Sequence, residues 1–221
     1  MWPDIAGRLA PEERGVAERA LVAPLVRARD EGLAAALAVE PGDAFDFVLV
    51  EGTVLKETTL AGSSALELFG PGDVLAPPLS ATRQLEFPSS SRYLALGDVS
   101  VATLGPRFKR AALRWPQIAD FLHGRIAEQT HRASTHIAML HLPRAEDRIL
   151  ALFAELGERF GRVTPDGIVI EIPLFNHELI GRLTASRRPT ATLALQQLYH
   201  QGLLTRLAAN SWKLAFSGTS R

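Results

Sequence analysis

The chain has 221 residues, with Lys+Arg and Asp+Glu balanced at 24 each, 47% hydrophobic residues and no cysteine. That length allows one large or two modest domains with sizeable cores, while the missing cysteine excludes disulfides, thiolate catalysis, cysteine-bound zinc and cysteine-held iron–sulfur clusters. No apolar run approaches the ~18 residues of a membrane span, and the segment MWPDIAGRLAPEER lacks a signal-peptide core, so the expected location is the cytoplasm. Charge is unevenly spread: residues 1–110 carry 11 basic and 15 acidic groups, whereas 144–221 carry 10 and 7, an asymmetry that points to nucleic acid at the C-terminal end.

Residues 4–38 place Ile5, Leu9, Val16, Ala20, Leu21, Leu25 and Leu33 at helical spacing, and Pro11 and Pro24 divide this run into short helices. From Val39 to Leu104 the texture changes to short β-type runs. Gly42, Gly52, Gly62 and Gly72 fall ten residues apart, so each strand and its turn take one spacing. Apolar residues alternate at Val48/Val50, Leu66/Leu68, Leu94/Leu96 and Val99/Val101, and Pro41-Gly42-Asp43 and Pro71-Gly72-Asp73 have turn chemistry. This pattern predicts an antiparallel roll or barrel.

Pro116 suits the first turn of a helix that then runs about twenty-five residues without another proline. Trp115, Ala119, Leu122, Ile126, Gln129, Ala133, His136 and Leu140 recur at steps of four and three, the 3.5 period of a coiled-coil seam. The expectation is a parallel homodimer through residues 115–140, with packing against its own roll as the competing use of part of this helix. His123, His131, His136 and His141 lie in or just after this helix, but the five-residue steps after His131 rotate each away from the last, and no metal site is expected. Leu142-Pro143 reads as a hinge. Residues 144–160 form an amphipathic helix with Ile149, Leu152, Phe153 and Leu156 inward, and 161–172 form two short strands about Pro165-Asp166-Gly167.

Residues 172–204 read as two short helices joined by the turn Thr184-Ala185-Ser186. Leu174, Leu179, Ile180 and Leu183 mark the first; Pro189 opens the second, whose inner face is Ala191, Ala194, Leu195 and Leu198. The outer face offers hydroxyls, amides and guanidinium groups, as a helix in the DNA major groove requires, and Leu179–Arg221 contains six Arg/Lys and no Asp or Glu. Ser186, Arg187, Arg188, Thr190, Thr192 and Gln196 are the candidate contacts. After Leu204 the chain alternates about Asn210 as a two-stranded wing, where Arg206 and Lys213 would touch phosphates.

The stretches IPLFNHELIGRL, Arg188-x-Thr190-Ala191, Leu195-x-x-Leu198 and Gly202-Leu203-Leu204 resemble the winged helix–turn–helix of the CRP/FNR superfamily of bacterial transcription regulators, and the likeness extends over nearly the whole chain. The resemblance implies an α+β protein in three parts: a jelly-roll-like antiparallel β-roll with flanking helices over 1–110, a long dimerisation helix over 111–142, and a winged helix–turn–helix over 143–221. It implies a homodimer that binds an inverted repeat in double-stranded DNA, with Arg188 reading a guanine edge. It implies no enzymatic activity, and it leaves RNA polymerase open as a further partner.

The sequence departs from the cyclic-nucleotide-binding members. Pro77 stands where they carry a glutamate for the ribose, Pro78 argues against their phosphate-cradling helix, and Arg83 and Arg92, the weak candidates for an effector phosphate, lack the expected context. Cyclic AMP is therefore not expected to bind tightly, and a roll without Cys or His speaks against haem. In the second helix Pro189 and Leu193 replace two charged base readers of the best-known member, so the half-site must differ. A sensory or scaffolding module that uses its helix–turn–helix for protein contact is the competing reading. An enzyme is third: no Walker loop, GxSxG elbow, HExxH or paired-carboxylate motif occurs.

Overall fold

The computed structural model describes residues 7–30, 32–33, 37, 46–76 and 89–216. Ile5, the Pro41-Gly42-Asp43 turn, Pro77, Pro78, Arg83 and Arg221 lie outside the described residues. Contacts divide the chain into two units, Met1–Lys56 with Leu68–Arg132, and Glu57–Glu67 with Ala133–Arg221. Among the described residues no helix is long and apolar enough to cross a membrane.

The first unit opens with α1 (Pro11–Ala20), in which Pro11 starts the helix instead of breaking one, because its missing N–H is no loss in the first turn. The inward residue of α1 is Ala17, while Val16 is exposed. Residues 25–29, expected as helix, form strand β1 (Leu25–Arg29), paired antiparallel with β7 (Asp98–Leu104) from Leu25↔Ala102 to Arg29↔Asp98. The carbonyl of Pro24 already accepts from Thr103 N, so the chain enters the ladder at the proline and tertiary pairing overrides the helical spacing.

Strands β2 (Asp46–Glu51), β3 (Val54–Leu60), β4 (Ser63–Phe69), β5 (Val74–Leu75) and β6 (Ser89–Ala95) complete the roll. One sheet has the order β1-β7-β2-β5 and the other β4-β3-β6. Alternation fails in β2, where Phe47, Val48 and Leu49 are all buried. Both faces of that strand are covered. Phe47 and Leu49 join Val54, Phe69, Leu75, Tyr93, Val99 and Val101 inside the roll, whereas Val48 joins Leu104, Phe108, Trp115, Ile118 and Phe121 on the helical side.

Helix α2 (Pro106–Ala112) leads into α3 (Pro116–Leu140). The predicted seam is divided by the structure. Trp115 and Leu122 pack with the helical-side cluster, and Gln129 grips the backbone of Val74, accepting from its N–H at 3.0 Å and donating to its C=O at 2.9 Å. His136 points its Nδ1 at Glu155, 3.9 Å away in the following helix. Burial opposes the charge on Glu155, but the His136 hydrogen bond and the Arg159 cation outweigh it and hold that carboxyl below its usual range. Ala119 and Ile126 of that stripe stay exposed, and Thr130 and Ile137 continue an exposed line beside it. A buried side chain every three or four residues does not say what covers it, so the sequence spacing could not separate the roll-facing positions from the rest of the stripe.

The second unit carries α4 (Ala145–Phe160), β8 (Gly161–Thr164), β9 (Gly167–Glu171), α5 (His177–Leu183), α6 (Arg188–His200), β10 (Leu204–Ala208) and β11 (Ser211–Leu214). Its sheet runs β10-β11-β9-β8, so the wing strand β11 continues the hairpin that follows α4. Ile149, Leu152, Phe153 and Leu156 are all buried, as the amphipathic spacing of α4 predicts. Phe153 meets Phe175 at 5.4 Å and Trp212 at 5.5 Å between ring centroids, which ties α4, the segment before α5 and the wing into one core.

Candidate nucleic-acid interface

Helix α5 begins later than expected. Leu174 is exposed at φ +59°, outside the helix, and the start is set by Asn176, whose Oδ1 accepts from the N–H groups of Glu178 and Leu179, both at 3.0 Å. Leu179, Ile180 and Leu183 are buried as predicted. A close approach follows: a Cβ at Gly181 would stand 2.8 Å from Ser186 O and 3.4 Å from Ala191 Cβ. Glycine at 181 lets α5 and α6 meet, and the N–H of Ser186 donates to Gly181 O at 2.8 Å across that contact.

The turn Thr184-Ala185-Ser186 forms where predicted. Thr184 is fully buried with its hydroxyl on Ile180 O at 2.8 Å, and Ala185 adopts φ +48°. Arg187 is the N-cap residue of α6, and Pro189 lies in its first turn. Ala191, Ala194, Leu195 and Leu198 are the buried residues of α6, leaving Arg188, Pro189, Thr190, Leu193, Gln196 and Gln197 exposed. Leu193 is 62% exposed among them, an apolar group in the middle of the outward face.

The structure brings Arg188, Thr192 and Arg206 to one open cleft of about 400 Å³, together with Asn176, His177 and Glu178. His177 Nδ1 is 3.3 Å from Thr192 Oγ1, and its ring lies against Trp212. Burial, then the Arg206 and Arg188 cations, push the His177 imidazole below its ordinary value. Sequence reasoning missed His177 because it precedes the run of basic residues, and its place opposite Thr192 emerges only in the fold.

Arg206 curls over its own wing, donating to Ala208 O at 3.3 Å and Ala209 O at 3.1 Å, with its guanidinium 5.7 Å from the Trp212 ring. It pairs with Trp212 across the wing, whereas Lys213 pairs with Thr205 and so projects from the opposite sheet face. Lys213 therefore does not join the cleft. The half-buried Ser186 hydroxyl is engaged within the protein, donating to Thr184 O at 3.2 Å and accepting from Arg148 Nη2 at 3.0 Å. Arg182 is also engaged, in an ion pair with the buried Glu57. In space the basic segment thus meets two acids, Glu57 and Glu178, that its own sequence lacks.

In the first unit, Arg92 is exposed on β6 beside buried Tyr93. The Pro71-Gly72-Asp73 turn is occupied by α3: Arg125 donates to Gly72 O at 3.1 Å, and Arg132 pairs with Asp73 at 2.5 Å. Among the described residues no cluster of three or more His, Asp or Glu is placed to hold a metal ion.

No family model matches the chain. The regulatory protein CysR of Synechococcus elongatus is 26% identical over 147 residues, 64% of this chain and 62% of that protein, so the match spans about three fifths of the relative's length. Among solved structures, FixK2 from Bradyrhizobium japonicum superposes with a TM-score of 0.65 at 24% identity, covering 88% of this chain and 93% of its own. A CRP-family transcriptional regulator from Thermus thermophilus gives 0.58 at 21%, covering 86% and 92%. The chain has the fold of the CRP/FNR regulators: an α+β roll, a long helix and a winged helix–turn–helix.

Proposed function

We propose that this protein is a sequence-specific DNA-binding transcription regulator that acts as a homodimer on an inverted-repeat operator. The observation that carries the proposal is α6, which buries Ala191, Ala194, Leu195 and Leu198 and turns outward a face with arginine, hydroxyl and amide groups and no carboxylate. Arg188 is the proposed guanine reader, by the bidentate geometry a guanidinium offers to O6 and N7. Arg187, Thr190 and Gln196 are proposed base or phosphate contacts; Thr192 and Arg206 act from the cleft, and Lys213 contacts a phosphate from the wing. Ser186 serves by shaping the turn. Exposed Leu193 supplies the apolar contact suited to a thymine methyl.

The division at 1–110, 111–142 and 143–221 belongs to the same proposal, as does dimerisation along α3 within residues 115–140. The outward line Ala119, Ile126, Thr130 and Ile137 supports the pairing, since Ile126 and Ile137 are 45% and 59% exposed at heptad-compatible spacing. RNA polymerase is the expected further partner of such a regulator, and the cytoplasm its expected location.

The roll is proposed to work without cyclic AMP, haem or an iron–sulfur cluster. Support comes from the Pro71-Gly72-Asp73 turn, which Arg125 and Arg132 of α3 already occupy, while Gln129 holds the neighbouring Val74. The exposed Leu193 and Tyr199 favour a second reading, protein contact through α6. Titrating labelled duplex with the full chain between 50 and 300 mM salt separates the two. DNA binding predicts an affinity that falls steeply and linearly on logarithmic axes, and a flat profile overturns it.

A further inference from the structure

Arg148 sits in the first turn of α4, and sequence periodicity assigns it nothing beyond the polar side of an amphipathic helix. Its guanidinium reaches two distant segments at once. Nη1 donates to Leu142 O at 2.7 Å and Pro143 O at 3.5 Å, in the hinge after α3. Nε donates to Thr184 O at 3.0 Å and Nη2 to Ser186 Oγ at 3.0 Å, in the turn between α5 and α6. These partners are all neutral oxygens. Among the described residues no acid holds the cation in place, so its position depends on the hinge and the turn keeping their present geometry.

The turn depends on such support. Ala185 is a non-glycine residue at φ +48°, a conformation that persists where surrounding contacts over-determine it. Arg148 provides two of those contacts, one on each side of Ala185. The next residues are Arg187 and Arg188, whose direction follows from where the turn ends. On the hinge side, Leu142 is bonded to the last turn of α3 through Met139 O at 3.0 Å. A change in the end of α3 must therefore move or break the Nη1 bonds.

Resting on the DNA-binding reading above, we propose that Arg148 is a positioning residue that couples the hinge to the recognition turn: it sets the aim of Arg187 and Arg188 without touching DNA. A lysine at 148 keeps the charge but offers one compact ammonium, which cannot span both segments as the planar fork does.

The test uses the full chain, an operator selected from random duplexes, and the variants Arg148→Lys and Ser186→Ala. For Arg148→Lys the expected result is about a tenfold loss of operator affinity, with non-specific duplex affinity and the salt slope unchanged. Ser186→Ala should lose affinity in the same direction and add little to Arg148→Lys. Full operator affinity in Arg148→Lys overturns the proposal. So does an equal loss on specific and non-specific duplex with the salt slope reduced by about one, which marks a direct phosphate contact. Amide exchange at Ser186, whose N–H bonds Gly181 O, supplies a readout independent of DNA: it should quicken in Arg148→Lys while the melting temperature holds, and unchanged exchange overturns the coupling. If wild type itself shows no salt-dependent duplex binding, the functional reading fails, and the exchange result still decides the clamp. Should Arg148→Lys fail to fold, the same exchange and affinity measurements on Ser186→Ala decide it: a wild-type result overturns the proposal.

Discussion

Each unit has a tight turn held by arginine from a neighbouring helix, Arg125 and Arg132 in the one and Arg148 in the other, and the two turns are held by different chemistry. In the roll, Arg132 of α3 meets Asp73, a carboxylate whose residue is only 2% exposed and which also accepts from Gly70 N at 2.9 Å. In the winged helix–turn–helix, Arg148 meets carbonyls and a hydroxyl. A buried carboxylate with a charge partner is costly to separate, because removing either group strands the other. Bonds from a cation to neutral oxygens can be exchanged for water at far smaller cost. The roll turn is thus fastened, and the turn between α5 and α6 is held but able to yield, which suits the proposed fit of α6 into a groove.

Breaking the fastened turn gives the largest effect. Asp73→Ala leaves Arg132 and Gly70 N without their partner and should destabilise the chain by about 3 kcal/mol in urea unfolding. A loss below about 1 kcal/mol would erase the contrast between the two turns. Arg188→Ala should cost roughly 1–3 kcal/mol of operator binding and relax selectivity at one base pair, with stability unchanged. Footprints like those of wild type would mean another residue reads the base. Gly181→Ala places a methyl against Ser186 O and should cost about 1–2 kcal/mol of stability by forcing α5 from α6. A neutral outcome in thermal unfolding would show that the turn gives way more readily than its close contacts suggest.

The smallest effect is on pH. His177 has its folded-state value lowered by burial, Arg206 and Arg188, so the fold favours the neutral ring, and the stability this brings is lost as pH falls below the ordinary histidine value of about 6.5. Arg188, Arg206 and Glu178 share the cleft with it. A DNA phosphate entering there would favour the charged ring, so duplex affinity should strengthen modestly from pH 7.5 to 6, and His177→Gln should flatten that slope. A wild-type slope unchanged by the substitution removes His177 from the interface.

What the sequence revealed follows the same division. Helices with one buried stripe were legible: α4 and α6 bury the residues their spacing selects. The roll was legible as a β unit, but β2 is covered on both faces, so its alternation carried no information on which side was inside. Strand β1 was hidden because five residues after Pro24 gain their identity only by pairing with β7. Part of the stripe of α3 faces the roll, and the sequence could not show which part, for a related reason. Gln129 looked like a polar seam position and instead bonds backbone atoms of Val74, 55 residues away. Arg148 was invisible on the same ground: three of its partners are main-chain carbonyls, and a sequence does not show which of its carbonyls point at a given arginine. Arg188 and its neighbours were legible because an outward helix face needs only local spacing.

Hydroxyl-radical footprinting of the full chain on a selected operator tests the central claim most directly. The account predicts two protected patches centred about one helical turn of DNA apart, each altered at a single base position by Arg188→Ala. One isolated patch, or a two-patch footprint that Arg188→Ala leaves intact, would contradict it.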